Sequence, residues 1–481
     1  MLVKLSPQAQ ELGVDRRDNA RPEEPPMPNC LRPVLSAMLS LIGPVCVAAP
    51  ITDTVILDIH GRGAERVAEI TSQPSVLWSA EFGNELLLGV SAESRAHWLT
   101  RADARPGPDG LSLDTLRVRD HVCTLHDPPP ALDVVGGYEI LRVEPHWSKL
   151  AFHPNLLGAK VPPSGIVSRE RGNSGTAKAV LPTDPSVVSL LSQIDSERWF
   201  QTVSDLAEMN RNSYSAGLNT ARDYIQTQFA NAGLSTELAP YTLPGANCQP
   251  TNVNIELSNV VGKKLGNLWP NEWVVIGAHY DSRNSVRCDG TVNPQPGAND
   301  NASGCAGVIE LARVFQNIPT ARTMVFACFS GEEQGLVGSN RYVGALEASG
   351  ELGNVQHMIN LDMMGHAIDN TLSARIETTT THANWLTFYG DRAATYAPEL
   401  NLITSTATQA YSDHWYFLDR GIPAMFTWEN GAGIYPHYHQ STDVPANMQR
   451  AQPLAAGILK MDAAVLADLV NIYGVFADQF E

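Results

Sequence analysis

From Ser189 to the C-terminus the chain alternates strand-like and helix-like apolar patterns, and this alternation restricts its fold more than any other feature. Trp273–Ala278 is a continuous apolar run of the kind a strand covered on both faces presents, and Thr323–Phe329, Val355–Leu361 and Ala424–Trp428 are further strand-like segments. Helical periodicity marks Thr220–Ala232, stopping at Gly233, then Ala302–Gln316, Glu333–Ala348, the region around Trp385–Thr395 and a long amphipathic stretch from Pro453 to Tyr473. Such alternation predicts an α/β fold: a three-layer α/β/α sandwich around a mostly parallel central sheet. Sites in sheets of this type assemble beyond the carboxyl ends of the strands, so polar residues at those ends carry the functional information.

The rest of the chain follows other plans. At 481 residues it exceeds one ordinary domain, and 43% hydrophobic with 17% charged residues is a globular composition. Thr54–Ile59, Val76–Phe82, Glu85–Val90 and Tyr138–Val143 alternate and are separated by turns, predicting a small β-rich domain over residues 50–161, a candidate propeptide. His97, His121, His126, His146 and His153 in that region lack metal-ligand spacing. Residues 162–188, rich in Gly, Ser and Pro, are expected to be a linker, and residues 189–481 the catalytic domain. Residues 1–49 divide into a polar extension and a secretory signal, with Arg32 in the basic region, Val34–Val47 as the apolar run and Val47-Ala48-Ala49 as the cleavage site. That run is short for a membrane span and is broken by Pro44, so no integral span is expected after signal removal. A formal charge of −18 argues against nucleic acid as partner and suits a protein working in the periplasm or outside the cell. Seven cysteines are too few for a disulfide framework. In an exported protein Cys248 and Cys288, both in polar loops, can pair, while Cys305 and Cys328 sit in apolar runs as buried thiols.

Four polar islands follow the predicted strands: Gly277–Ser282, Asn299–Gly304, Gly331–Glu333 and Asn360–Asp362, with His439 beyond them. Imidazole nitrogen and carboxylate oxygen are what divalent zinc accepts, and these islands supply that mixture twice. The two-residue period of an extended segment puts His279 and Asp281 on one side, where Asp281 can accept a hydrogen bond from the imidazole and fix its tautomer. Asp300 has two carboxylate oxygens and can bridge two cations. Of the adjacent Glu332 and Glu333, one carboxylate is needed to bind metal and another to move a proton between water and leaving amine.

The segment from about Ser189 onward resembles the di-zinc aminopeptidase family of secreted leucyl-type enzymes, a family that also contains glutamate carboxypeptidase and glutaminyl cyclase. The strings that carry the likeness are Gly277-Ala278-His279-Tyr280-Asp281-Ser282, Pro296 to Gly304, Phe329 to Ser339, Asn360-Leu361-Asp362-Met363 and His439-Gln440-Ser441-Thr442-Asp443. Carried over residue by residue, the resemblance implies that Asp300 bridges two zinc ions, that His279 and Asp362 complete one site and that Glu333 and His439 complete the other. It makes Glu332 the general base and implies a cis bond between Asp300 and Asn301. His439 is preferred to the alternative, His437, because it precedes Asp443 by the family's four residues. Where some members place a tyrosine for the tetrahedral intermediate, this chain offers Gln409 and Tyr411, so Tyr411 is the candidate oxyanion partner.

The function implied is hydrolysis of the first peptide bond of peptides with a free N-terminus, by a monomer. Met363, Met425, Phe426, Trp428 and Tyr435 form a candidate pocket for a hydrophobic first side chain. The competing readings are a metallo-carboxypeptidase, which needs cationic groups and finds no arginine cluster near the islands, and a glutaminyl cyclase, which uses one metal. A non-catalytic, receptor-like binding protein would be expected to have lost ligands, and none is lost here.

Overall fold

The computed structural model describes residues 52–60, 62, 64–113, 115–120, 131–135, 138–142, 159–161, 166–171, 180–248, 253–292, 294–367, 371–407, 412–429 and 435–472. The N-terminal region contains β1 (Asp53–Asp58), α1 (Ala64–Thr71), β2 (Val76–Phe82), β3 (Glu85–Val90), α2 (Ala92–Trp98), β4 (Ala104–Pro106), β5 (Leu116–Asp120), β6 (Asp133–Val135), β7 (Tyr138–Arg142), β8 (Ala159–Lys160) and β9 (Ile166–Arg171). Next come α3 (Pro185–Leu191), α4 (Ser196–Ala207), α5 (Ala216–Asn231), β10 (Ser235–Leu243), β11 (Ile255–Lys264), β12 (Trp269–His279), α6 (Ser303–Val314), β13 (Arg322–Phe329), α7 (Val337–Ser349) and β14 (Val355–Leu361). The chain continues through β15 (Leu372–Thr379), α8 (Asn384–Tyr396), β16 (Leu400–Ala407), α9 (Trp415–Asp419), β17 (Ala424–Glu429) and α10 (Ala451–Leu469).

The centre of the large sheet is parallel: β12 lies between β13 and β14, and β14 pairs with β17. Antiparallel strands flank it, with β10 and β11 beyond β13 and the parallel pair β15 and β16 running against β17. Alternate residues of β12 serve opposite faces, as the pleat requires. Val274, Ile276 and Ala278 join the core under α4, α5, α6, α8 and α10, while Trp273 and Val275 join the core under α7 and α9. This is the three-layer sandwich that the alternating patterns predict.

Two local features depart from the sequence-based expectation. Helix α7 starts at Val337, not at Glu333, because Gly331, Gly335 and Leu336 have φ of 67°, 107° and 57°, outside the right-handed helical region. The Glu332–Glu333 pair is therefore carried by a turn. In the stretch expected to be a linker, Ile166–Arg171 forms β9, which pairs antiparallel with β16 and parallel with β2. The strands β2, β3, β1 and β4 thereby continue the large sheet, which counts thirteen strands among the described residues, and β6, β7, β5 and β8 form a second sheet. The expected signal at Met27–Pro50, Cys123 and the histidines 121, 126, 146 and 153 lie outside the described residues. Among the described residues no helix is long and apolar enough to cross a membrane.

One buried acid makes stability depend on pH. Asp462, inside α10, is fully buried and accepts a hydrogen bond from Thr427 Oγ1 at 3.3 Å. Burial raises its pKa well above the ordinary carboxylate value, against the smaller opposing effect of that hydrogen bond. The folded protein keeps this proton where the unfolded chain, with a pKa of about 3.9, has released it. Stability should thus fall as pH rises above about 4, by up to about 1.4 kcal/mol per pH unit, until the folded-state pKa is passed. Asp462→Asn should flatten the decline in melting temperature as pH rises above about 4, and parallel wild-type and variant curves would contradict this assignment.

Candidate active site

The parallel register of β12, β13 and β14 brings three polar segments to one end of the sheet. His279 lies opposite Phe329, and Gly277 opposite Asn360. His279, the turn after β13 and Asp362 therefore emerge side by side. Asp300 enters from the segment ahead of α6, where the Asp300–Asn301 bond is cis, and His439 enters from the loop before α10.

His279 Nε2 lies 3.2 Å from Asp300 Oδ1 and 3.4 Å from Asp362 Oδ1. His439 Nε2 lies 3.0 Å from Asp300 Oδ2 and 3.2 Å from Glu333 Oε2. The five residues make two triads that share Asp300, with one donor atom from each residue within 4.8 Å of the others in its triad. His437 is not part of either triad, and its Nδ1 faces Thr442 Oγ1 at 2.8 Å. The donor set fits divalent zinc: each triad offers one imidazole nitrogen and two carboxylates, all buried or nearly so, and Glu333 Oε1 is buried without a hydrogen-bond partner.

Burial works against protonation of His279, but Asp362, Glu332, Asp281 and Asp300 outweigh it and hold its pKa well above the usual imidazole value. Burial also disfavours charge on Asp300, and here His279 and His439 prevail and keep the carboxyl below its usual range. Glu332 behaves differently. Burial, opposed by His279 and reinforced by Glu333, Asp413 and Asp362, pushes its pKa well above that of an ordinary glutamate.

The supporting contacts are mostly to backbone. The Asp281 carboxylate accepts the amides of Glu332 and Glu333 at 3.2 Å each, and Ser213 Oγ at 3.2 Å. His279 Nδ1 is closer to the carbonyl oxygen of Asp281, at 3.2 Å, than to its carboxylate, at 3.6 Å. Asp443 accepts the amides of Asn299 and Asp300 at 2.9 and 3.0 Å. Asn301 donates to Leu361 O at 3.0 Å and accepts from Met363 N at 3.3 Å, which ties the Asp300 segment to the end of β14. Ser412 Oγ donates to Asp362 Oδ2 at 2.7 Å. Sequence reasoning did not assign roles to Asn301, Ser412 or Ser213. Two asparagines flanking Asp300 were the available signal, since amide side chains are suited to holding irregular backbone.

Of the candidate pocket residues, Met363 and Tyr435 pack with Tyr438 and with Trp428, which also stacks on Phe426 at 5.6 Å. Met425 points the other way and is a fully buried member of the main core, as its position next to Phe426 on β17 requires. Tyr411 and Gln409 lie outside the described residues. Cys248 and Cys288 form a disulfide with Cα atoms 5.6 Å apart. Of the arginines near the islands, Arg283 Nε is 3.8 Å from Glu333 Oε2, whereas the buried Arg211 and Arg287 donate to backbone carbonyls.

Residues 259–462 match the model of peptidase family M28. The chain is 32% identical over 206 residues to a probable zinc metalloprotease of Pyrenophora teres f. teres, an alignment covering 40% of this chain and 42% of that protein. It is also 32% identical over 206 residues to aminopeptidase YwaD of Bacillus subtilis, covering 42% of each. The chain thus spans about two-fifths of the length of these curated relatives. Among solved structures, LapB from Legionella pneumophila shares the fold with a TM-score of 0.50 at 18% identity, over 87% of this chain and 99% of that one.

Arg211 ties these loops together from inside. Its guanidinium, fully buried, donates to Tyr280 O at 2.8 Å, Leu206 O at 2.5 Å, Pro296 O at 2.7 Å and Gly297 O at 2.7 Å. Tyr280 stands between His279 and Asp281, and Gly297 shortly precedes Asp300, so one side chain spaces two segments that carry residues of the triads. Burial lowers its pKa to about 10, which leaves it charged at neutral pH. Each buried carbonyl left without a donor costs about 1–3 kcal/mol, so Arg211→Met should destabilise the metal-free protein by at least about 3 kcal/mol in urea unfolding. A loss below about 1 kcal/mol would mean that water satisfies these carbonyls as well.

Proposed function

We propose that this chain, whose residues 259–462 match the model of peptidase family M28, is an exported, monomeric aminopeptidase with two zinc ions that removes the first residue of peptides with a free N-terminus. The observation that carries this reading is the pair of triads sharing Asp300, with the protonatable Glu332 next to one of their members. In it, His279, Asp300 and Asp362 would hold one ion, and Asp300, Glu333 and His439 the other. Zinc bound there would supply Lewis acidity to the scissile carbonyl and to the attacking water. Glu332 accepts the proton of the attacking water and delivers it to the leaving amine, a role favoured by burial, which raises its pKa well above that of an ordinary glutamate. Asp281 fixes the Glu332 amide and so the position from which the carboxylate acts. Glu333 and Asp362 give the site the negative charge that attracts a substrate ammonium group. The apolar contacts of Met363, Trp428, Tyr435 and Tyr438 support a preference for hydrophobic first residues. The Cys248–Cys288 disulfide supports export to an oxidising compartment.

The test is hydrolysis of leucine p-nitroanilide and of its N-acetyl form, with zinc removed by chelation and then restored. Zinc-dependent cleavage of the free-amine substrate alone is expected, and Glu332→Gln should lower kcat by about 10²–10⁴-fold with zinc still bound. Cleavage of the acetylated substrate, or a Glu332→Gln variant as active as wild type, would defeat the reading.

The β-rich region is proposed to stay with the catalytic region even when the chain between them is cut, because β9 is paired on both sides. After cleavage at a protease site engineered within residues 172–179, the two fragments should elute together in gel filtration with unchanged activity. Separation of the fragments, or a rise in activity as expected for release of an inhibitory propeptide, counts against this.

A further inference from the structure

The turn that carries Glu332 and Glu333 is held from two sides. On one side Asp281 accepts both amides. On the other a closed ring of hydrogen bonds grips the next residue, Gln334. Asn247 Nδ2 donates to Gln334 O at 2.9 Å, Gln334 Nε2 donates to Arg287 O at 3.3 Å, and Arg287 Nη2 donates to Asn247 O at 2.8 Å. Two members of the ring, Asn247 and Arg287, are the chain neighbours of Cys248 and Cys288, which are buried and disulfide-bonded. The cysteines are 40 residues apart in sequence, and they bring together the loop after β10 and the loop after β12.

We propose that the Cys248–Cys288 disulfide is a positioning element for catalysis: it sets the Asn247–Arg287–Gln334 ring and thereby fixes the turn that presents Glu332. The inference rests on the reading of Glu332 as the general base. Its physical basis is that the loop after β10 and the loop after β12 each share one hydrogen bond with Gln334 and are joined to each other by a third. Because β11 and β12 hold the intervening chain in the sheet, loss of the disulfide releases only the loop after β10 and the loop after β12 from each other, and shifts those hydrogen bonds toward solvent. A disulfide that served stability alone would lower the melting temperature when removed and leave kcat unchanged in the folded protein. A positioning element lowers kcat itself, since a displacement of about 1 Å at a catalytic group can cost about 10²-fold.

The experiment uses the full-length, zinc-loaded Cys248→Ser/Cys288→Ser variant well below its melting temperature. With leucine p-nitroanilide, kcat should fall by about tenfold while KM stays within about twofold and zinc content is unchanged. In parallel, hydrogen exchange of the peptide containing the Glu332 to Leu336 amides should speed up by about tenfold, with the central β12 and β13 amides unchanged. Unaltered exchange in that peptide overturns the proposal whatever the activity. Unaltered kcat with a lower melting temperature overturns it as well. A wild-type protein with no hydrolytic activity defeats the functional reading alone, and the exchange measurement still decides the positioning claim. If the double variant does not fold, Asn247→Ala, which keeps the disulfide and removes one ring bond, should move kcat and exchange in the same directions by about threefold, and no change in either overturns the proposal.

Discussion

Two carboxylates that belong to neither triad govern the geometry of those that do. Asp281 accepts the amides of Glu332 and Glu333, and Asp443 accepts those of Asn299 and Asp300. Two consecutive amides on one carboxylate fix a peptide plane in position and orientation, and the neighbouring side chain has little freedom left in where it points. Glu333 and Asp300 are held in this way, each by a different carboxylate. Neither anchor is local in sequence. Asp281 lies on the chain after β12 and Asp443 in the loop that also carries His439, so the turn and the Asp300 segment are each registered to another part of the fold.

Anchoring with carboxylates adds charge to a site already rich in it. Asp281, Asp300, Glu332, Glu333, Asp362, Asp413, Glu429 and Asp443 are all buried within it or beside it. Burial pushes Asp443 up to about 7 even with two amides bound, and Asp413 likewise to about 7. Arg211, fully buried, and Arg283, near Glu333, offset part of this charge, as do the two imidazoles. The donor set suits divalent cations for the same reason, because carboxylates gathered out of water are stabilised by strong, close positive charge. Arg211 contributes that charge while bonding only to backbone carbonyls among its hydrogen bonds named above, so it neutralises without competing for the carboxylate oxygens.

What was legible in the sequence was whatever local pattern determines. Strands β2, β3 and β14 run between the same residues that their apolar patterns mark, and four of the five residues in the two triads lie in the islands, with His439 singled out beyond them. Met425 was misplaced, although the two-residue period of β17 already separates it from Phe426 and Trp428. The start of α7 was misjudged because helical periodicity continues through Glu333, whereas positive φ at Gly331, Gly335 and Leu336 delays the helix. Arg211 gave no warning, since its partners at Tyr280, Pro296 and Gly297 are joined to it only by the fold. Strand β9 was read as linker because it pairs at the seam between two regions, and its partners β16 and β2 are remote in sequence.

That seam reaches toward the chemistry. Ala407, the last residue of β16, is paired with Ser168 of β9, and the chain that leaves β16 arrives at Ser412, whose hydroxyl donates to Asp362. The strand whose exit leads to this contact with Asp362 is therefore, in sheet order, the last strand of the C-terminal region, and β9 covers its edge. An uncovered edge would leave a row of unpaired amides and carbonyls beside the segment that must deliver Ser412 accurately. With β9 in place the same sheet extends from β10 to β4. A region without a catalytic motif of its own is thus joined by ladder hydrogen bonds to the strand that leads to Ser412, a connection that composition and motif do not record.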